Sequence, residues 1–151
     1  MTELTILIPV LARPHRVAPM LDAALAWTPD ADVLFIADPD DLPELTELEA
    51  QGANYITVDG NYAKKINEGI RRTESPFVFT GADDLLFHPG WFEAAKQVMS
   101  DRIGFVGTQD LCNRRVLRGL HGTHFLVARW YAELGTIDGE EGLFHEGYPH
   151  E

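Results

Sequence analysis

The chain has 151 residues, of which 24% are charged and 45% hydrophobic, as is typical of one soluble globular domain. Its 24 acidic and 12 basic residues give a formal net charge of −12, which argues against nucleic acid as a partner because no phosphate-following basic face is expected. No apolar run approaches the roughly 20 residues of a membrane span. The lone Cys112 cannot form an internal disulfide, so we expect a cytoplasmic location.

Short apolar runs alternate with segments of helical spacing along the chain. The runs predict strands at Leu4–Pro9, Asp32–Ala37, Asn54–Val58, Phe77–Thr80, Ile103–Val106 and Thr123–Val127. The segments between them predict helices from Pro14 through Leu25, at Leu42–Ala50, after a cap at Asn61, from Pro89 through Met99, and at Ala128–Leu134. The alternation predicts a single α/β domain, with a mostly parallel central sheet flanked by helices.

Two adjacent carboxylates, Asp83 and Asp84, follow the predicted strand Phe77–Thr80. Open α/β sheets bind ligands at the carboxyl ends of their strands. Neighbouring residues on a regular strand point to opposite faces, so a shared ligand requires a turn, which Gly81 makes accessible. Mg²⁺ or Mn²⁺ takes one or two carboxylates together with substrate phosphate oxygens. A divalent cation is therefore one interpretation of the pair, and a solvated acidic turn is the other.

Two further residues follow predicted strands and have two interpretations each. The sequence has neither G-x-G-x-x-G nor a P-loop motif. Binding of a pyrophosphate would therefore need other groups, such as Arg13 with a metal. Otherwise Arg13 is an exposed loop cation. Asp38 ends the second strand, where an acid can face a ribose or base edge, or it is simply a turn residue.

The six histidines lack the spacing of a zinc site. His121 and His124 form the tightest pair, for which packing or a loop role is the simpler interpretation. The sequence has no G-x-S-x-G nucleophile motif, and Cys112 is a weak nucleophile candidate.

Four segments taken together resemble the family 2 glycosyltransferases, which have the GT-A fold. These are the I-x-I-P strand at 6–9 before Arg13, Asp38 at a strand end, K-x-I-N-E-G-I at 64–70, and A-D-D-L-x-x-x-P-G-W at 82–91. The later G-T-H-F-L-V-A-R and W-Y-A-E-L-G segments look like that family's acceptor-side strand and helix.

This resemblance implies metal-assisted transfer of a sugar, with inversion, from a nucleotide-diphosphate sugar (a UDP-sugar or similar) to an acceptor hydroxyl, with Mn²⁺ or Mg²⁺ as cofactor. A nucleotide-binding part would cover residues 1 to about 107, and an acceptor-side part about 108–151. By the same resemblance the nucleotide contacts are Pro9, Arg13, Asp38, Lys64 and Asp83, and the metal ligands are Asp83 and Asp84.

The sequence departs from the family pattern in two places. The usual first acid of the D-x-D motif is Gly81. The general base normally follows the acceptor-side helix, where Glu140, Glu141, Glu146 and Glu151 are available; Glu146 is preferred, with Glu151 second. Because the chain ends inside what resembles a functional loop, we also expect that it is truncated and that an acid beyond it could be the base.

The sequence allows one other class of function and argues against a second. A non-catalytic nucleotide-sugar-binding or assembly module reusing the same fold is the alternative. A GT-A-like nucleotidyltransferase would need a G-x-G-rich loop with a basic residue after the first strand, and this sequence has none.

Overall fold

The computed structural model describes residues 2–111, 113–119 and 122–147. The strands are β1 Leu4–Pro9, β2 Asp32–Ala37, β3 Asn54–Thr57, β4 Phe77–Thr80, β5 Phe105–Gly107 and β6 Phe125–Ala128. The helices are α1 Val17–Trp27, α2 Leu42–Ala50, α3 Tyr62–Arg71, α4 Trp91–Val98, α5 Arg114–Leu117 and α6 Arg129–Ala132. A 3-10 turn, Pro14–Arg16, leads into α1.

The strands form one six-stranded sheet in the order β3-β2-β1-β4-β6-β5. The first four in that order are parallel, whereas β6 runs antiparallel to both β4 and β5. The chain adds β2 and β3 on one side of β1 and β4 on the other. The predicted α/β architecture with a mostly parallel sheet is therefore confirmed, and a switch in strand order lies between β1 and β4.

Helices cover both faces of the sheet. Successive side chains of each strand point to opposite faces, so each strand contributes residues to both layers. On one face Ile6, Ile8 and Phe35 pack with buried residues of α1, α2 and α4. On the other face Leu7 and Ile36 pack with α3 and α6. Burial on both sides explains why β1, β2 and β4 appear in the sequence as nearly continuous apolar runs.

Helix α3 lies especially close to the sheet. A Cβ atom at Gly69 would be 2.8 Å from Ile36 Cδ1 and 2.9 Å from Leu7 Cδ2. Asn61 caps this helix as expected, since its side chain accepts a hydrogen bond from the Lys64 N–H at 3.0 Å. The close contact holds the later part of α3 against β1 and β2.

The last two strands begin about two residues later than predicted. Ile103 lies outside β5 because the Ser100 hydroxyl accepts its N–H at 3.2 Å and closes a turn. β6 begins at Phe125, after His124, and α6 is shorter than the predicted Ala128–Leu134. Among the described residues, no helix combines the length and apolar composition that crossing a bilayer requires.

Candidate functional site

Arg13 and the two adjacent aspartates meet at the carboxyl edge of the sheet. Arg13 follows β1, and its Nη2 lies 2.7 Å from Asp83 Oδ1, just after β4. Its Nη1 lies 3.9 Å from Asp84 Oδ2. The side chain of Asp83 is 1% exposed, while those of Arg13 and Asp84 are about half exposed, at 49% and 51%. The three residues lie at the switch in strand order, where ligands of open α/β sheets bind.

The Asp83 carboxylate is buried and poorly satisfied. Although Arg13 is close, no described residue donates a well-aligned hydrogen bond to either Asp83 oxygen. Burial raises the pKa of Asp83 above its ordinary value; the Arg13 charge opposes this rise and the Asp84 charge adds to it. Binding of an additional cation would lower the free-energy cost of burying a carboxylate in this state.

The loop that carries Arg13 is held by helix α2. The Ala12 N–H donates to Asp41 Oδ2 at 2.6 Å, and the Arg13 N–H donates to Glu44 Oε2 at 2.8 Å. Ala12 has a φ of 54°, a left-handed conformation that is unfavourable for residues other than glycine. Glu44 is fully buried, and no described residue donates to its Oε1. Its pKa is raised by burial, against the opposing hydrogen bond from Arg13.

Another acid at this edge, Asp38, is paired with Lys65. Lys65 is 4% exposed, and its Nζ donates to Asp38 Oδ2 and, at 3.3 Å, to the Val10 carbonyl. Lys64, the lysine chosen from the sequence, is exposed on the first turn of α3. Lys65 is not among the site residues predicted from the sequence, although its position beside the apolar stripe of α3 was a usable signal.

Gly81 leads from β4 into the acidic turn and has no room for a side chain. Its N–H donates to the Leu7 carbonyl at 2.8 Å, and a Cβ atom there would lie 2.9 Å from that same oxygen. The Tyr62 hydroxyl donates to the Gly81 carbonyl at 3.2 Å. An acid at this position would require β1 to shift, which explains why the turn supplies only the pair Asp83 and Asp84.

An aromatic cavity of about 350 Å³ adjoins Asp84. Its walls include Phe87 and Trp91, whose ring centroids lie 4.9 Å apart, and Phe79 behind them. His124 also lines it, with Nδ1 3.0 Å from the Thr80 carbonyl. Since a carbonyl only accepts, Nδ1 carries the proton. Burial lowers the pKa of His124, against the opposing hydrogen bond to Thr80, so the ring is neutral and presents Nε2 as an acceptor.

Of the candidate bases that the structure describes, Glu146 lies against helix α3. Glu146 Oε1 accepts from Asn67 Nδ2 at 3.1 Å and lies 3.7 Å from Arg71 Nη2, both on α3. Glu140 and Glu141 are exposed. Glu151 lies outside the described residues, as do Cys112 and His121. Pro9, the remaining candidate, pairs in register with Ile36 at the end of β1.

The residues at the edge fit a hard divalent cation only in part. Within the described ranges, no group of three or more His, Cys, Asp or Glu side chains converges as a metal site. Asp83 and Asp84 nevertheless supply oxygen ligands, and neither oxygen of the buried Asp83 carboxylate has an aligned hydrogen-bond donor among the described residues. Mg²⁺ and Mn²⁺ bind with one or two carboxylates when phosphate oxygens and water complete the shell. The pair therefore fits a cation that arrives with a diphosphate.

Solved structures with the same fold contain nucleotides and metals. The mannosyltransferase PcManGT from Pyrobaculum calidifontis, in complex with GDP-Man and Mn²⁺, superimposes with a TM-score of 0.70 at 13% identity, over 87% of this chain and 46% of that one. Glucosyl-3-phosphoglycerate synthase from Mycobacterium tuberculosis, in complex with Mn²⁺, UDP and phosphoglyceric acid, gives a TM-score of 0.65 at 13% identity, over 87% and 57%. The chain thus spans about half the length of these proteins, and the likeness establishes the fold.

The family is shown by a match that covers nearly the whole sequence. No curated protein matches the chain. The family model for glycosyl transferase family 2, however, matches residues 5–147. This range contains β2 to β6, all of β1 except Leu4, Arg13, and the pair Asp83 and Asp84. The chain belongs to glycosyl transferase family 2.

Proposed function

We propose that the protein transfers a glycosyl group, with inversion, from a nucleoside-diphosphate sugar to an acceptor hydroxyl, using Mn²⁺ or Mg²⁺. The observation that carries the proposal is the Asp83 carboxylate, which is 1% exposed, lacks an aligned donor among the described residues, and lies where parallel sheets bind ligands. Family membership and the nucleotide- and metal-bound neighbours support it. A cytoplasmic location, supported by the single cysteine, belongs to the same proposal.

In this proposal, residues 1 to about 107 bind the nucleotide and about 108–151 serve the acceptor. Pro9 and Arg13 line the nucleotide, and Asp38, held by Lys65, contacts its ribose or base. Lys64, exposed at the start of α3, lies near the uridine or the phosphates. Asp83 contacts the ribose. Asp83 and Asp84 would hold the cation, which would neutralise charge on the diphosphate.

The residues of the chain then have definite tasks during transfer. Arg13 donates hydrogen bonds to phosphate oxygens, which exchanges its contact with Asp83 for one with the leaving group. The acceptor oxygen bonds to the anomeric carbon while the bond from that carbon to the diphosphate breaks, and the electron pair leaves with the nucleotide. A glutamate, Glu146 or Glu151, takes the hydroxyl proton. To do so, Glu146 must give up its contacts with Asn67 and Arg71.

Calorimetric titration with UDP and GDP, with and without Mn²⁺, tests the site. We expect Mn²⁺ to tighten binding of at least one nucleotide, and Asp83→Asn to remove roughly tenfold or more of that gain, because it removes a charged ligand. The variant should fold, since a neutral group of similar shape relieves the burial of charge. Asp59→Asn, at an exposed aspartate, is the control. Equal Mn²⁺-dependent affinity in wild type and Asp83→Asn would overturn the metal role.

A non-catalytic nucleotide-sugar-binding module is the second candidate. It is favoured by Gly81 in place of an acid and by the Glu146 carboxylate being already bound to Asn67. Release of nucleoside diphosphate from UDP-glucose and GDP-mannose with Mn²⁺ separates the two functions. A transferase gives turnover with an acceptor present, whereas a binding module shows saturable binding and no release.

A further inference from the structure

We propose that the aromatic cavity beside Asp84 is the acceptor site, and that it selects an uncharged hydroxyl compound with an apolar aryl or alkyl body. This inference rests on the proposed transferase function and names its substrate class. The cavity of about 350 Å³ falls within the usual range for small-molecule pockets.

The walls of the cavity are largely apolar. Phe87 and Trp91 form one side, and Leu86 and Leu111 lie at the rim, 83% and 57% exposed. Large aliphatic side chains left in water around one opening gain free energy when an apolar surface covers them. A ligand that is polar on all sides would not provide this cover. The lining thus favours an acceptor with an apolar body at the rim.

Polar groups without partners lie among these apolar walls. Trp91 Nε1 and Thr123 Oγ1 are buried, and neither has a hydrogen-bond partner among the described residues. An unsatisfied buried polar group is costly. His124 adds an acceptor at Nε2, because its Nδ1–H is bound to the Thr80 carbonyl. A hydroxyl both donates and accepts, so an alcohol can pair with these atoms once the lining side chains shift to admit it.

The position and charge of the cavity narrow the ligand further. Asp84 belongs both to the cavity, which it lines, and to the site at the sheet edge, where it lies 3.9 Å from Arg13. A ligand in the cavity would therefore lie next to the proposed diphosphate site. Asp84 and Asp110 on the lining, in a chain with a net charge of −12, disfavour an anionic acceptor. Position and charge thus favour a neutral alcohol over an anionic one.

Binding of three probes to the purified chain, in the presence of UDP and Mn²⁺, tests this inference. We expect phenyl β-glucoside to bind roughly tenfold more tightly than glucose, because the phenyl ring buries apolar surface, and gluconate to bind more weakly than glucose. Leu86→Ser should reduce the preference for phenyl β-glucoside over glucose several-fold. Trp91→Phe, which keeps a ring and removes the N–H, should weaken both neutral probes. Leu42→Ser is the matched control, at a leucine that is 68% exposed and outside the cavity.

The outcomes separate this inference from the proposed function. If UDP binds with Mn²⁺ but glucose and phenyl β-glucoside bind equally, the acceptor class is wrong and the proposed function stands. The same conclusion follows if Leu86→Ser behaves like Leu42→Ser. If no nucleoside diphosphate binds, the proposed function fails and the acceptor site fails with it.

Discussion

Glu44 is a buried carboxylate that holds the backbone of another segment. It accepts the Arg13 N–H at 2.8 Å, while Asp41 accepts the N–H of Ala12 at 2.6 Å. These two contacts fix a loop in which Ala12 has a φ of 54°, a conformation that costs roughly 1–2 kcal/mol for a non-glycine residue. The guanidinium of Arg13 is thereby placed 2.7 Å from Asp83. Glu44 thus acts on the candidate site through Arg13.

Replacing Glu44 should therefore weaken nucleotide binding. The size of the effect should depend on whether the new side chain can accept the hydrogen bond from the Arg13 N–H. We expect Glu44→Ala to lower the affinity for UDP with Mn²⁺ roughly tenfold, because the Arg13 N–H loses its acceptor and the loop loosens. Glu44→Gln keeps an amide oxygen for that N–H and should stay within about threefold of wild type. Calorimetry measures both affinities.

The control for this pair is Glu47→Ala on the same helix, because the Glu47 carboxylate accepts only from the exposed Gln51 among the described residues. A Glu44→Gln variant as weak as Glu44→Ala would contradict the positioning role, since it would show that the charge, and not the accepted hydrogen bond, is what matters.

At the scale of elements, α3 carries two adjacent lysines with opposite environments. Lys65 is buried and joins the helix to Asp38 after β2 and to the Val10 carbonyl after β1. Lys64 is exposed. Consecutive residues of a helix point about 100° apart, so only one of the two can face the sheet. The contact of Lys65 ties α3 to the carboxyl edge of the two central strands.

Lys65→Met should consequently destabilise the fold far more than Lys64→Met. We expect a loss of about 1–3 kcal/mol in the free energy of unfolding for Lys65→Met, since a buried hydrogen bond to a charged group is removed and Asp38 keeps partial access to water. Lys64→Met, the matched control, should stay within about 0.5 kcal/mol of wild type. Urea unfolding at neutral pH measures both. Equal losses would mean that the Lys65 contact contributes nothing to stability.

The same helix shows what the sequence could and could not predict. The stripe of Ala63, Ile66 and Ile70 predicted its buried face correctly, because helical spacing is a local property. The choice between the lysines depended on Asp38, which reaches α3 from a strand far away in sequence. A similar limit applied to Glu44. Its place three residues after the capping Asp41 is typical of a local capping box, whereas its carboxylate actually binds the loop after β1.

The site as a whole was predicted to the extent that strand ends define it. Arg13 and Asp83, 70 positions apart in the sequence, were both placed after predicted strands, and parallel pairing of β1 with β4 brings them together. The aromatic cavity was not predicted, because it combines the turn after β4 with residues around β5 and β6. The antiparallel pairing that assembles those strands leaves no local pattern in the sequence.

At the scale of the whole molecule, the dependence of stability on pH combines groups with opposite behaviour. Burial lowers the pKa of His124, so its contribution to stability is present above the unfolded value of about 6.5 and is lost as pH falls. Burial raises the pKa of Glu44, so its contribution is present below the unfolded value of about 4.3 and is lost as pH rises. Between these values, acidification weakens one contribution and strengthens the other.

Variants that remove one group at a time should separate the two contributions. Between about pH 7.5 and pH 5, at constant ionic strength, we expect His124→Gln to lose less free energy of unfolding than wild type, since it has no imidazole to protonate. Glu44→Gln should lose more than wild type, because it lacks the stabilisation that protonation of Glu44 supplies. Urea unfolding at each pH gives the differences, with His88→Gln, at an exposed histidine, as the control. If the two variants depart from wild type in the same direction, burial does not govern how the folded molecule takes up protons.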